Sequence, residues 1–229
     1  GERADGLRWL PGPGAAAPSA ALAGSNSGLP PRQAFPEGGY FVLGCELGGA
    51  GELRAVVDAG PLGYRAAAHA HADALSFTLS AGGRALLVDP GACSAYAHPA
   101  WRDYFRGTAA HNTVRVDGAD QSEPDGASAW LHKARSACSL WLSTASKDSF
   151  EGWHDGYMRL PDPVKHRRLL ELDKRSRRLV VEDRLEMEDE HDIELFFHCA
   201  EDCGVQPIEG GFCVGSVLEI LLPKNEKAT

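Results

Sequence analysis

The feature that most narrows the fold of this chain is a recurrence of short apolar runs, each only a few residues long and each closed by glycine, aspartate or charged residues. Tyr40-Phe41-Val42-Leu43 is followed, after a glycine-rich turn, by Leu53-Arg54-Ala55-Val56-Val57. Leu75-Ser76-Phe77-Thr78-Leu79 alternates strictly, and Ala81-Gly82-Gly83 turns the chain into Ala85-Leu86-Leu87-Val88. Alternation with a period of two marks a half-buried strand, and a glycine pair between two such runs signals a hairpin. Thr113 to Val116 alternates in the same way and ends at the turn pair Asp117-Gly118. Leu140-Trp141-Leu142, Leu169 to Leu172 and Leu179 to Glu182 are further short runs between charged turns. Ile193, Leu195 and Phe197 share one face, Asp192, Glu194 and His198 the other, and Val217 to Leu222 forms the last run. Only Pro99 to Arg106 carries helical spacing, with Trp101, Tyr104 and Phe105 three and four positions apart. Many strands at spacings of about 8–15 residues with almost no helical period predict an all-β protein, a β-sandwich.

Residues 1–38 are rich in Gly, Pro, Ala and Ser and read as a linker or tail, which leaves residues 39–229 as the sandwich domain. The full 229 residues can bury a core without help from disulfides, and a hydrophobic share of 43% excludes wholesale disorder. No run approaches the roughly 18 apolar residues of a membrane helix, so no membrane partner is expected. Gly1 to Gly14 lacks a signal-peptide pattern, and the chain begins without Met, which leads us to expect an upstream signal or domain. A net charge of -9 argues against a nucleic-acid partner. Basic residues cluster in two places, Lys165 to Arg168 and Lys174 to Arg178, both read as solvated faces. The six cysteines include no CxxC pair. Cys199 and Cys203 are either a pair across a loop or free thiols, and cysteine usage does not settle the compartment.

The densest chemistry lies between His69 and His111. His69-Ala70-His71-Ala72-Asp73 would place both imidazoles on one side of a strand. Asp89-Pro90-Gly91 ends an apolar strand, and His111-Asn112-Thr113 opens another. Imidazoles and a carboxylate suit a borderline divalent ion such as zinc, and the Gly82-Gly83 hairpin makes two of the contributing strands neighbours. Each element alone has an ordinary explanation, since Asp before Pro-Gly is a common turn and a His at a strand start is usually a satisfied polar residue. Two other kinds of protein own an HxH pair. A cupin matches in Gly63 ahead of His69 and His71, but it needs a Glu where this chain has Leu75 and Ser76, with only Asp73 nearby. A metal-dependent amidohydrolase needs the alternating helices of a barrel, which this chain lacks.

The stretch HAHADALSFTLSAGGRALLVDPGACSAYAHPAWRDYFRGTAAHNTVRVDGADQS, His69 to Ser122, resembles the signature of the heparinase II/III-like family. PEGGYFVLG (Pro36 to Gly44) and HDGYMRLPDPVKHRRLLELD (His154 to Asp173) resemble it too, so the likeness spans most of residues 36–200. The resemblance implies a large antiparallel β-sandwich that follows an N-terminal α/α toroid. Residues 1–38 would then be the tail of that upstream domain, and the toroid would be this chain's partner within one protein. It implies a polysaccharide lyase that cleaves acidic, uronic-acid-containing glycans such as heparan sulfate or alginate by β-elimination. The fragment alone is expected to be inactive, because the family's main catalytic Tyr and His lie on the toroid. The implied metal ligands are His71, Asp89 and His111, around a zinc that braces the sandwich. His69, with Tyr96 or Tyr104 as an aromatic hydroxyl, would be this chain's contribution to catalysis. Arg102 and Arg106 would pair with substrate carboxylates or sulfates, unless they form salt bridges on the helix surface. A homodimer is compatible with these expectations. The remaining alternatives are a carbohydrate-binding or structural β-module without catalysis and, behind it, a cupin-like metal enzyme. Gly91-Ala92-Cys93 replaces the family's Gly-Thr-Tyr, and Asp120 to Trp130 is irregular against its pattern, so an altered substrate preference is implied.

Overall fold

The computed structural model describes residues 33–63, 67–92, 98–126 and 128–223. Most of the expected linker and Tyr96 fall outside these residues. Strand pairing begins ahead of the expected boundary at Gly39, because β1 (Ala34–Phe35) already pairs with β2 (Tyr40–Cys45). Next come β3 (Leu53–Asp58), β4 (Phe77–Ala81) and β5 (Arg84–Leu87), which complete an antiparallel sheet in the order β1-β2-β3-β4-β5. The β4–β5 hairpin turns on Gly82 and Gly83, both at positive φ (56° and 77°), as a two-residue turn matched to strand twist requires. The helical spacing resolves into α1 (Pro99–Arg106), with Pro in its first turn. β6 (Val114–Val116) ends on Asp117-Gly118, where both residues again have positive φ (51° and 66°). β7 (Glu123–Asp125) and β8 (Ala129–His132) form a small ribbon. β9 (Ser136–Ser143), β10 (Lys147–His154), β11 (Lys165–Asp173) and β12 (Arg178–Glu186) form a second antiparallel sheet in the order β12-β11-β10-β9. β13 (Ile193–Leu195) returns to pair with β6, and β14 (Val205–Ile208), β15 (Gly211–Val214) and β16 (Leu218–Leu221) form a meander. This is the predicted all-β architecture.

The main core lies where the two larger sheets face one another. Phe41, Leu43, Ala55, Val57, Phe77 and Leu79 from the first sheet meet Phe150, Leu170 and Leu172 from the second. Their alternation in sequence is what puts them on one face. Ile193 and Leu195 do share a face, as expected, but both remain exposed. Leu195 lines an open apolar groove with Phe197 rather than a sealed core. The described cysteines Cys45, Cys138, Cys199, Cys203 and Cys213 are all free thiols, so Cys199 and Cys203 are not paired.

Two buried charges tie the sheets together. Asp148 on β10 accepts the backbone N–H of Gly44 on β2 at 2.8 Å and lies 2.7 Å from the Lys174 ammonium. Arg168 corrects the reading of Lys165 to Arg168 as a solvated face. Strand alternation turns Lys165 and Arg167 outward but buries His166 and Arg168 completely. The Arg168 guanidinium binds both oxygens of Asp183 at 2.7 and 2.9 Å and donates to the carbonyls of Leu75 (2.8 Å) and Asn112 (2.7 Å).

A chain of histidines completes this network. His166 Nε2 lies 2.7 Å from Asp183 Oδ1, His154 Nε2 lies 2.8 Å from His166 Nδ1, and the Gly156 N–H donates to His154 Nδ1 at 3.2 Å. One tautomer pattern satisfies every atom. His166 donates to the carboxylate and accepts from His154, and His154 accepts from the backbone. Burial would raise the Asp183 pKa, but Arg168 and His166 hold it far below the carboxylate range. Burial, reinforced by the Arg168 charge, lowers the pKa of both histidines, so both are neutral in the fold.

The sign of the linkage follows from these shifts. Below about pH 6.5 the unfolded chain takes up protons at His154 and His166 that the folded chain refuses, so stability falls with pH across that window. His191, raised by Asp117 and Asp162, opposes this trend. Urea unfolding between about pH 7 and pH 5 is expected to lose roughly 1 kcal/mol per pH unit, with a shallower slope in His154→Gln. A stability independent of pH over that range would show that the pair is not held neutral.

Candidate functional site

Residues 67–76, which carry His69, His71 and Asp73, form an irregular loop and not the strand expected from the sequence. Strand alternation therefore does not orient the two histidines. Leu75 sits at φ 60° and donates its N–H to the Asp58 carbonyl at 2.7 Å, which delays β4 to Phe77. A loop without a ladder must satisfy its backbone in other ways. Here Ala72 N–H reaches the Arg106 carbonyl (2.8 Å), and Thr108 Oγ1 donates to the Ala72 carbonyl (2.8 Å). Thr113 Oγ1 (3.0 Å) and Gln121 Nε2 (3.1 Å) both donate to the Ala74 carbonyl.

The other two elements are fixed as firmly. Asp89 follows β5, and its Oδ1 accepts the Gly91 N–H at 2.8 Å, with Gly91 at φ 68° closing the turn. His111 is completely buried after the 3-10 turn Thr108–Ala110. Its Nε2 donates to the Phe105 carbonyl at 3.1 Å near the end of α1, which leaves Nδ1 facing Asp89 Oδ2 at 2.6 Å. The His71 ring lies 5.2 Å from that of His111. One ligand atom each from His71, Asp89 and His111 falls within 4.8 Å of the others, so the structure brings together the three residues singled out for metal. Two imidazoles and a carboxylate are a zinc-type donor set, and a backbone partner on the far nitrogen of His111 is the usual way such a ligand is oriented. The set could hold one divalent ion.

The electrostatics reflect this crowding. Burial would lower the His111 pKa, but the Asp89 hydrogen bond and the Asp73 and Asp89 charges raise it. Burial and the His111 charge lower that of His71. Burial would raise the Asp89 pKa, but the bond from His111 lowers it. Burial, joined by the Asp58 and Asp89 charges, pushes Asp73 up to about 7.

Beside these residues opens a cleft of about 420 Å³, lined by Tyr40, Asp58, His69, His71, Asp73 and Gln121 among others. His69 is exposed there. The other expected contacts are placed differently. Tyr104 is exposed on α1 and packs edge-on against Trp101 and Phe105, and neither it nor Arg102 lines the cleft. Arg102 pairs with Asp103 at 2.8 Å. Arg106 is turned inward, with its guanidinium 4.2 Å from the Trp130 ring and bonded to the carbonyls of Gly126 and Ala129. Its guanidinium serves the fold instead of an incoming anion, because the helix end that holds His111 packs on β8. Tyr96 lies outside the described residues.

Sequence reasoning missed Tyr40, Asp58 and Gln121. Asp58-Ala59-Gly60 repeats the Asx turn of Asp89-Pro90-Gly91, with Asp58 Oδ1 accepting the Gly60 N–H at 2.7 Å, and that likeness was the available signal. It also missed the role of Asn112. This side chain donates to the carbonyls of Phe77 (2.8 Å) and Val88 (3.0 Å) and accepts the His198 N–H (2.6 Å). Asn112→Ala should strand these groups and lower stability by about 2–4 kcal/mol in chemical denaturation. A loss below about 0.5 kcal/mol would show that the three bonds are dispensable.

A family model described as heparinase II/III-like, C-terminal, matches residues 27–228. No curated protein matches the chain. Among solved structures, heparinase III, the BT4657 gene product, is similar with a TM-score of 0.66 and 22% identity over 84% of this chain and 28% of its own. The heparan sulfate lyase HepC from Pedobacter heparinus is similar with a TM-score of 0.62 and 18% identity over 83% of this chain and 30% of its own. The chain thus spans less than a third of the length of the structures it matches, and the likeness to them is one of fold.

Proposed function

The chain belongs to the heparinase II/III-like family through its C-terminal domain, and on that premise we propose that it is the β-sandwich portion of a polysaccharide lyase that cleaves uronic-acid-containing glycans by β-elimination. The observation that carries this reading is the placement of an exposed His69 on a polar cleft directly beside His71, Asp89 and His111. In the reaction the C5 proton leaves, the C4–O4 bond breaks, a C4=C5 double bond forms and O4 gains a proton. The uronate carboxylate must be neutralised as charge develops at C5. His69 is suited to donate a hydrogen bond to that carboxylate. The main acid and base are assigned to a helical toroid domain of the same protein, the partner that the family resemblance implies.

We assign one zinc ion to His71, Asp89 and His111, and its role to bracing. Bound there, a divalent cation would neutralise Asp89 and join the loop before β4, the end of β5 and the approach to β6. The residues around it act independently of the ion. Phe105 orients His111 through its carbonyl, Gly91 orients Asp89, and Asn112 keeps β4 and β5 in register with both.

Elemental analysis of the purified chain should find about one zinc per chain after growth with added zinc. His111→Ala should lose that metal and melt at lower temperature, and a metal-free wild type of unchanged stability would remove the assignment. Activity is read from the absorbance of the unsaturated uronate product. The chain alone should release none from heparan sulfate or alginate, whereas the protein with its helical domain should. In that longer protein, His69→Ala should cut turnover by about 10²-fold or more with metal content and melting temperature retained. His71→Ala should lower all three. Equal loss of metal in both variants would make His69 a ligand.

A further inference from the structure

The segment that joins β12 to β13 is dense in charge. Glu186, Glu188, Asp189, Glu190 and Asp192 place five carboxylates within seven residues, and His191 stands among them. Such a run repels itself and favours an open, solvated loop. Here its backbone folds back onto two further carboxylates instead. Asp162, ahead of β11, accepts the N–H groups of Glu188 (3.1 Å) and Asp189 (2.9 Å) on Oδ2. Asp117, in the turn after β6, accepts the Asp192 N–H on Oδ1 at 2.9 Å, and its own N–H reaches the Asp192 carbonyl at 2.9 Å.

The His191 ring closes this arrangement from the middle. Its Nδ1 lies 2.6 Å from Asp117 Oδ2 and its Nε2 lies 2.8 Å from Asp162 Oδ2, with the side chain only 5% exposed. A neutral imidazole has one N–H and one lone pair, so it can serve one of these carboxylates and must turn a lone pair towards the other. The imidazolium satisfies both, because it donates from each nitrogen. Among the described residues, the charged groups that meet the ring are Asp117 from the β6 turn and Asp162 from the loop before β11, and both raise its pKa. The ring and the Asp192 N–H lower that of Asp117, and the Asp189 N–H and the ring lower that of Asp162. On its own loop, Glu188, Asp189, Glu190 and Asp192 are exposed to solvent.

We propose that His191 is a proton-dependent clamp, an imidazolium shared by Asp117 and Asp162 that fastens the segment between β12 and β13 and releases it when the ring loses its proton. β13 pairs with β6, which directly follows the His-Asn-Thr motif, so the clamp fixes the entry to that ribbon. A histidine whose pKa is raised by folding contributes stability that is complete below about pH 6.5 and is lost as pH rises through the folded value. The clamp is therefore closed in mildly acidic solution and opens on the alkaline side.

NMR titration of the full chain between about pH 5 and pH 10 tests the clamp. The His191 ring should titrate with a midpoint above the value of about 6.5 for a free histidine. The amides of Glu188, Asp189 and Asp192 should shift with that same midpoint and lose at least about threefold in hydrogen-exchange protection across it. Asp117→Asn removes one carboxylate, keeps an acceptor for the Asp192 N–H and suits the left-handed backbone at φ 51°, so it should fold and lower the ring's midpoint. His191→Gln identifies the ring signal and should abolish the pH dependence of the three amides. Should that variant not fold, the wild type and Asp117→Asn decide the matter. A midpoint at or below about 6.5, a midpoint unchanged in Asp117→Asn, or amides that do not follow the ring overturns the proposal.

Discussion

A cation buried between two sheets has to be neutralised where it lies, and much of this structure is arranged around the one that Arg168 brings. Its guanidinium is held on one side by the Asp183 carboxylate, which stays ionised despite burial. On the other side it reaches out of the second sheet to the carbonyls of Leu75 and Asn112. Those two residues bracket the site, since Leu75 ends the loop of His71 and Asn112 follows His111. Removing either partner of a buried pair leaves the other charge unmatched, which is far costlier than never having buried them. The arrangement therefore acts less as a source of stability than as a condition on geometry, because the loops must end where the guanidinium can reach them.

The same logic extends along the histidine chain. His166 and His154 give Asp183 a further donor while remaining neutral themselves, so no second buried charge is introduced. In the site, the three residues of the His-Asn-Thr motif divide the labour. His111 points at Asp89, Asn112 joins the start of β4 to the residue before Asp89, and Thr113 holds the loop of His71 at Ala74. Three ligand-type side chains from separate segments converge because each segment is tied through its backbone, and the ligand side chains are left free of that duty.

Several basic side chains that the sequence offers for anion binding are engaged within the fold. Arg168 is spent on Asp183, Arg106 on Trp130 and two carbonyls, and Arg102 on Asp103. The described lining of the cleft is polar but not cationic.

Much was legible in the sequence because it depends on local periodicity. The glycine hairpin, the Asp117-Gly118 turn, the helix from Pro99 to Arg106 and the strands of both large sheets other than β1 and β10 follow from spacing and turn chemistry. Residue type singled out the segments of His69, His71, Asp89 and His111, and the choice of His71 over His69 came from the family resemblance. The sequence did not reveal that His69 to Asp73 is a loop, since two histidines two apart look like strand alternation until positive φ at Leu75 and backbone bonds to Asp58 and Arg106 break the ladder. Nor did it reveal that Arg106 faces inward, that Arg168 is buried, or that Tyr40, Asp58 and Gln121 share a cleft. A side chain's period assigns it to a face, but what covers that face, and which distant carbonyl or carboxylate meets it there, is set only when the two sheets close on one another. The sequence alone determined most of the strands of the two large sheets and the chemical types at the site, and the tertiary structure decided which charges are buried, because burial and pairing belong to contacts between segments that no local pattern encodes.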